Sequence, residues 1–171
     1  MMYNKRNRLD QTVLYKNNGD DRYPDFKLYK MISRCVHNHT PQSQLERKEF
    51  NKFLISNNIK LAIKLNLDGA YIPSFNKDKK HLSYSVRKKF IILGSAHNIY
   101  EMRTKELQHV NAIFLSSIFK KNKNYLGINK FKSLSLLSNK PFIALGGISV
   151  NNLKKLALTD CHGFAGISFF E

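Results

Sequence analysis

From Lys52 onward, short apolar runs alternate with segments of helical period, and this alternation limits the chain more than any other feature. "KFLIS" (52–56) precedes "NNIKLAIKLN" (57–66), where Ile59, Ala62 and Ile63 fall at helical spacing. "DGAYIP" (68–73) precedes "HLSYSVRKK" (81–89), expected to be a short helix. "FIILGS" (90–95) leads to "HNIYEMRTKELQHV" (97–110), with Ile99, Met102, Leu107 and Val110 on one face and Glu101 four residues before Lys105 as a supporting pair. "NAIFLSS" (111–117) and "NKFKSLSLLSN" (129–139) follow, then "PFIALGG" (141–147) with "SVNNLKKLAL" (149–158), and finally "HGFAGISFF" (162–170). That makes about six strand-helix units whose strands are apolar throughout. Such strands are buried on both faces, which predicts a parallel sheet covered by helices. An open doubly wound sheet and a (β/α)8 barrel both satisfy the pattern.

Residues 1–50 stand outside this rhythm. "NNGDDRYPDFK" (17–27) is polar and turn-rich, "KMISRCV" (30–36) is the one strand expected, and a helix is expected to begin near Thr40-Pro41. The domain reading is therefore a divergent N-terminal segment over 1–50, partly disordered or forming atypical first units, and an α/β domain over 51–171.

Length and composition narrow the function classes. A chain of 171 residues supports one domain with a real core, and 42% hydrophobic residues exclude wholesale disorder. No apolar run approaches the roughly 20 residues that cross a bilayer, and the basic start "MMYNKRNRLDQ" lacks the apolar core of a secretory signal. The expectation is a soluble cytoplasmic protein with no membrane partner. Cys35 and Cys161 lie far apart without CxxC spacing, which fits a reducing compartment. The net charge of +17 would point to nucleic acid, but Lys greatly outnumbers Arg and is spread over every segment. A generic solvated basic surface is the expectation, and nucleic acid is not taken as the partner.

Three segments carry candidate chemistry. In "ALGGIS" a strand ends in Gly146-Gly147, where the backbone can approach a ligand, and the helix starting near Ser149 to Asn152 would aim free amides at an anion. The next strand ends "FAGISFF", so Gly166, Ile167 and Ser168 can complete a phosphate site; the alternative is that these glycines only permit tight turns. "GSAH" sets Ser95 and His97 at another strand end, His97 as acid or base and Ser95 as a substrate contact, unless Ser95 or Asn98 merely caps the helix. "FKKNKN" (119–124) concentrates Lys121 and Lys123, which could attract an anion or simply be solvated.

In order and spacing, "LISNNIKLA…LDGAYIPSFN", "ILGSAH", "AIFLSSIF…LG", "PFIALGGIS…NL" and "GFAGIS" resemble the thiamine phosphate synthase/TenI family of (β/α)8 barrels over residues 52–170. The resemblance implies a TIM-type barrel, incomplete or divergent over its first two strand-helix units. It implies a role in thiamine biosynthesis: binding a thiazole phosphate at Gly146, Gly147, Gly166, Ile167 and Ser168, and a transferase activity coupling it to hydroxymethylpyrimidine pyrophosphate. The alternatives it leaves open are a thiazole tautomerase using His97 and a non-catalytic phospholigand-binding barrel. Where the family places its magnesium carboxylates, this chain has Asn57 and Asn76, and where its pyrophosphate loop carries threonine, this chain has Lys121 and Lys123. The family's Gln-x-Arg-x-Lys motif has no match beyond Arg34. Magnesium is thus implied as cofactor by resemblance and weakened by the residues. A homo-oligomer is compatible with the pattern, which does not specify one.

Overall fold

The computed structural model describes residues 11–16, 27–33 and 52–166. Six parallel strands curl into a half-barrel: β3 (Lys52–Ser56), β4 (Gly69–Ile72), β5 (Ile91–Ala96), β6 (Ala112–Ser116), β7 (Phe142–Leu145) and β8 (Gly163–Gly166). Between them run α1 (Ile59–Lys64), α2 (Ile99–Leu107), α3 (Gly127–Ser135) and the short α4 (Val150–Leu153), which tightens into a 3-10 turn over Lys154–Leu158.

Two strands precede the half-barrel, β1 (Gln11–Lys16) and β2 (Lys27–Ser33). β1 pairs antiparallel with β3 on one side and β2 on the other, and β2 runs parallel to β8. The strand order β1-β2-β8-β7-β6-β5-β4-β3 closes on itself. The sequence leads to one strand here, at 30–36; the structure has two, β1 and β2, and their antiparallel pairing departs from the parallel strand-helix repeat. A parallel crossover takes a dozen or more residues, and the connection 17–26 is shorter than that, so its two strands pair antiparallel. The helix expected after Thr40 lies outside the described residues.

Alternation along the strands separates two apolar layers. Leu54, Tyr71, Leu93, Phe114, Ile143 and Ala165 point to the concave side and pack together. Ile72, Ile113, Leu115, Ala144 and Phe164 point outward and are buried beneath Met102, Phe131 and Leu153 of the helices. Two helix readings need correction. "HLSYSVRKK" forms only a 3-10 turn at Lys80–Ser83, because its one apolar residue in that turn, Leu82, finds no core to face and is exposed. On α2, Leu107 is 57% exposed while Lys105 is fully buried. Gly94 on β5 makes the room: a Cβ there would lie 2.7 Å from Lys105 Cδ.

Candidate functional site

The side chains at the C-terminal ends of the strands change character abruptly. Two residues beyond Leu54, Leu93 and Phe114, on the same concave face, stand Ser56, Ser95 and Ser116, each under 9% exposed. Apolar packing thus gives way to a layer of small hydroxyls. Tyr71 reaches this layer from β4, its ring edge-on to Phe114 at 5.7 Å and its phenol donating to Ser95 Oγ at 2.8 Å. Burial pushes the Tyr71 pKa up to about 12, the Ser95 bond offsetting part of the rise. The phenol is therefore a neutral donor at physiological pH. Ser95 does not cap the following helix; Asn98 does, accepting the Glu101 amide at 3.0 Å. The Ser95 hydroxyl retains its own proton for another acceptor.

His97 lies just past β5, half-buried. Its Nδ1 is 2.8 Å from the Ser116 carbonyl oxygen and 3.0 Å from Ser116 Oγ. A carbonyl only accepts, so Nδ1 carries a proton, and in the neutral ring it is Nε2 that holds the lone pair. The His97 amide donates to Glu101 Oε2 at 2.7 Å, which ties the loop to α2 and leaves Glu101 facing His97 rather than pairing with Lys105.

Ser116 and Ser117, joined by a cis peptide bond, carry the chain from His97 to the glycine pair. Gly146 and Gly147 have φ of +105° and +74°. The Gly146 carbonyl accepts from the Phe119 and Lys120 amides at 2.9 and 3.1 Å. A Cβ on Gly146 would lie 2.4 Å from Ser117 Oγ, and one on Gly147 would lie 2.6 Å from the Lys120 amide nitrogen. The close approach that these glycines permit is thus first to the chain's own β6 loop. Their amides have no acceptor among the described residues and remain available to an anion. The helix behind them contributes less than expected, because α4 is four residues long and a capping box between Ser149 and Asn152 engages its first turn. Lys121 and Lys123 are exposed on the same β6 loop, while Gly166 is buried at the end of β8. Ile167 and Ser168 lie outside the described residues.

Asn57 and Asn76 come together from β3 and from the segment after β4. Asn76 Nδ2 donates to Asn57 Oδ1 at 2.6 Å, and Asn76 Oδ1 accepts the Asp78 amide at 2.7 Å. Both amide oxygens are already accepting, neither is charged, and among the described residues no three His, Cys, Asp or Glu side chains gather. This donor set does not suit magnesium. Behind the pair, the buried Lys105 ammonium donates to the carbonyls of Pro73 and Asn76 and to Gln108 Oε1, each at 2.8 Å. Gln108 Nε2 donates to the Asn76 and Asp78 carbonyls, and the Gln108 carbonyl lies 2.8 Å from His81 Nε2. Burial lowers the Lys105 pKa to about 8, with Glu101 drawing it partly back.

Tyr71, Ser116 and Ser117 are not singled out by the sequence, and Lys105 stands out there only as the partner of Glu101. "GAYI" and "FLSS" do hold a signal, a polar atom inside an otherwise apolar strand. Lys105 has none, since its partners lie up to 32 residues away in the chain.

Comparison with known proteins bears on all of this. Residues 38–170 match the family model described as thiamine monophosphate synthase. The thiamine-phosphate synthase of Methanococcus vannielii is 30% identical over 124 residues, covering 68% of this chain and 58% of that protein. A putative thiamine-phosphate synthase 2 of Aquifex aeolicus is 29% identical over 150 residues, covering 85% of this chain and 76% of that protein. The thiamine phosphate pyrophosphorylase of Pyrococcus furiosus shares the fold with a TM-score of 0.60 at 20% identity, over 72% of this chain and 61% of the other. The chain thus spans just under three fifths of the length of the Methanococcus relative.

Proposed function

The chain belongs to the thiamine monophosphate synthase family, and on that premise we propose that it acts in thiamine biosynthesis by binding a thiazole phosphate at the strand ends β5 to β8, with His97 transferring a proton. The carrying observation is the bond from His97 Nδ1 to the Ser116 carbonyl, which in the neutral ring puts the lone pair on Nε2. The Gly146 and Gly147 amides supply donors for the phosphate, with Gly166 at the end of the neighbouring strand β8 beside them. Ser95, backed by Tyr71, offers a hydroxyl to the ring of the ligand. His97 Nε2 takes a proton from one ring position and returns it at another, which is an isomerisation that consumes nothing else. Lys121 and Lys123 raise the local concentration of anions as exposed point charges.

A second reading is condensation with hydroxymethylpyrimidine pyrophosphate to give thiamine phosphate; the relatives are named thiamine-phosphate synthases. The Asn57–Asn76 pair speaks against it, because an expelled pyrophosphate needs charge compensation that two engaged amides do not give. A third is binding without turnover.

Purified protein incubated with the thiazole phosphate tautomers should equilibrate them. His97→Gln should slow this by about 10²-fold or more, while thiazole phosphate still raises the melting temperature. Magnesium-dependent formation of thiamine phosphate at ordinary enzymatic rates would replace this reading by the synthase one. A thermal shift with neither activity would leave the binding-only reading.

A further inference from the structure

Tyr71 brings a hydroxyl into an otherwise apolar layer, where it packs with Leu54, Leu93, Phe114, Ile143 and Ala165. It stands opposite Leu93 on β5, and Ser95 is the next residue of β5 on that face, so the phenol reaches up by one layer. The bond it makes there, 2.8 Å to Ser95 Oγ, is the only polar contact of the phenol among the described residues. Phe114, edge-on at 5.7 Å, and the aliphatic neighbours pack the ring in place. A core residue would be better served by phenylalanine, unless the hydroxyl has work to do at Ser95.

Two hydroxyls share this bond, and their acidities decide which of them donates. A phenol is a far stronger acid than an aliphatic alcohol and a poorer acceptor, because its oxygen gives electron density to the ring. The phenol therefore donates and Ser95 Oγ accepts. Ser95 keeps its own proton, for which the described residues offer no acceptor. Accepting from Tyr71 draws density from Oγ, which strengthens its O–H as a donor and weakens its remaining lone pair as an acceptor. His97 follows two residues on, about 7 Å along the chain.

We propose that Tyr71 is a positioning residue acting through Ser95: it makes that hydroxyl a hydrogen-bond donor to the ligand and so selects rings that present an acceptor there. This rests on the reading that a thiazole phosphate is seated at the ends of β5 to β8. A thiazole carries one strong acceptor, its ring nitrogen, and the Ser95 proton pairs with it. That bond draws electron density out of the ring and makes its other positions more acidic, which favours removal of a proton by His97 Nε2. A tyrosine that only satisfied its own hydroxyl in the core would do neither.

A double-mutant cycle on the whole chain tests this. By calorimetry with thiazole phosphate, Ser95→Ala should bind about tenfold and Tyr71→Phe about fivefold more weakly than the parent, the range of one lost hydrogen bond. In the Ser95→Ala background, Tyr71→Phe should change the affinity by less than about twofold, because the residue it acts through is gone. The thiophene analogue, with C–H in place of the ring nitrogen, should bind the parent about tenfold less well than thiazole phosphate, and Tyr71→Phe should narrow that preference. The Raman Fermi doublet of tyrosine distinguishes a donating from an accepting phenol without any ligand. The spectrum of the parent minus that of Tyr71→Phe should carry the donor signature, and Ser95→Ala should remove it. Circular dichroism melts of each variant separate weaker binding from weaker folding. The inference is overturned if the difference spectrum shows an accepting phenol, if Tyr71→Phe costs as much affinity with Ser95→Ala as without it, or if the parent binds both rings equally well. A parent that binds no thiazole phosphate at millimolar concentration overturns the reading of the site, and the selection with it; the Raman signature then decides by itself whether Tyr71 orients Ser95.

Discussion

Lys105 shows how much one buried cation can determine. It was expected on the surface beside Glu101, and instead it binds three oxygens under the loop that presents Asn76. Lys105→Met keeps the length of the side chain but leaves the Pro73 carbonyl and Gln108 Oε1 without their donor, a loss of about 1–3 kcal/mol that urea titration should register. The proton adds a signature of its own. Because the folded protein holds it with a pKa of about 8 against an ordinary 10.5, the unfolded chain binds more protons between those values, and stability rises with pH across that window. Tyr71 has the opposite sign: its pKa is raised from 10.0 to about 12, so the stability it contributes is present below 10 and lost as pH climbs toward 12. Melting temperatures from pH 7 to 12 should lose their rise in Lys105→Met and their upper fall in Tyr71→Phe. A parent curve that matches both variants would dismiss both assignments.

At the level of the element, α2 and the glycine loop carry the clearest consequences. Met102 is fully buried and Leu107 is 57% exposed, although both fit one helical stripe in the sequence. Met102→Ala should cost about 2–5 kcal/mol, whereas Leu107→Gln should stay within about 0.5 kcal/mol; equal costs would mean that α2 is rotated from the position described. Gly146 and Gly147 tie β7 to the β6 loop. Gly146→Ala must force a side chain into a positive φ and against Ser117 at once, so it should destabilise by more than 1 kcal/mol and also weaken thiazole phosphate binding. Thermal melts with and without the ligand measure the two effects together. A variant that melts as the parent does would show that the β6 loop does not rest on the glycine pair.

Across the whole molecule, closure depends on β1 and β2, which fill the gap between β3 and β8. Removing residues 1–50 exposes the hydrogen-bonding edges of β3 and β8. Such a truncation should self-associate, and light scattering should show assemblies where the full chain gives a lower and stable mass. A monodisperse truncation would mean that the six-strand half-barrel manages its own edges. The charge of +17 acts at this scale too, since it draws anions toward every face of the molecule. Affinity for any phosphorylated ligand should fall as sodium chloride rises from 20 to about 500 mM, as the Debye length shortens. A flat salt dependence would assign binding to neutral amides alone.

The period of the apolar runs from Lys52 to Gly166 was sufficient to call for six buried parallel strands, and the segments "GSAH" and "ALGG" were legible as strand ends. That information is local, because burial on both faces of a strand writes itself into consecutive residues. The rest depends on which residues meet across space. The antiparallel entry of β1, the Tyr71–Ser95 bond, the closure of Asn57 on Asn76 and the inward turn of Lys105 each join positions 19 or more residues apart. A lysine reads as solvated charge until a glycine on the neighbouring strand gives its stem a channel and distant carbonyls give its ammonium a place to bind. No periodicity within α2 encodes that, so only the tertiary structure could decide it.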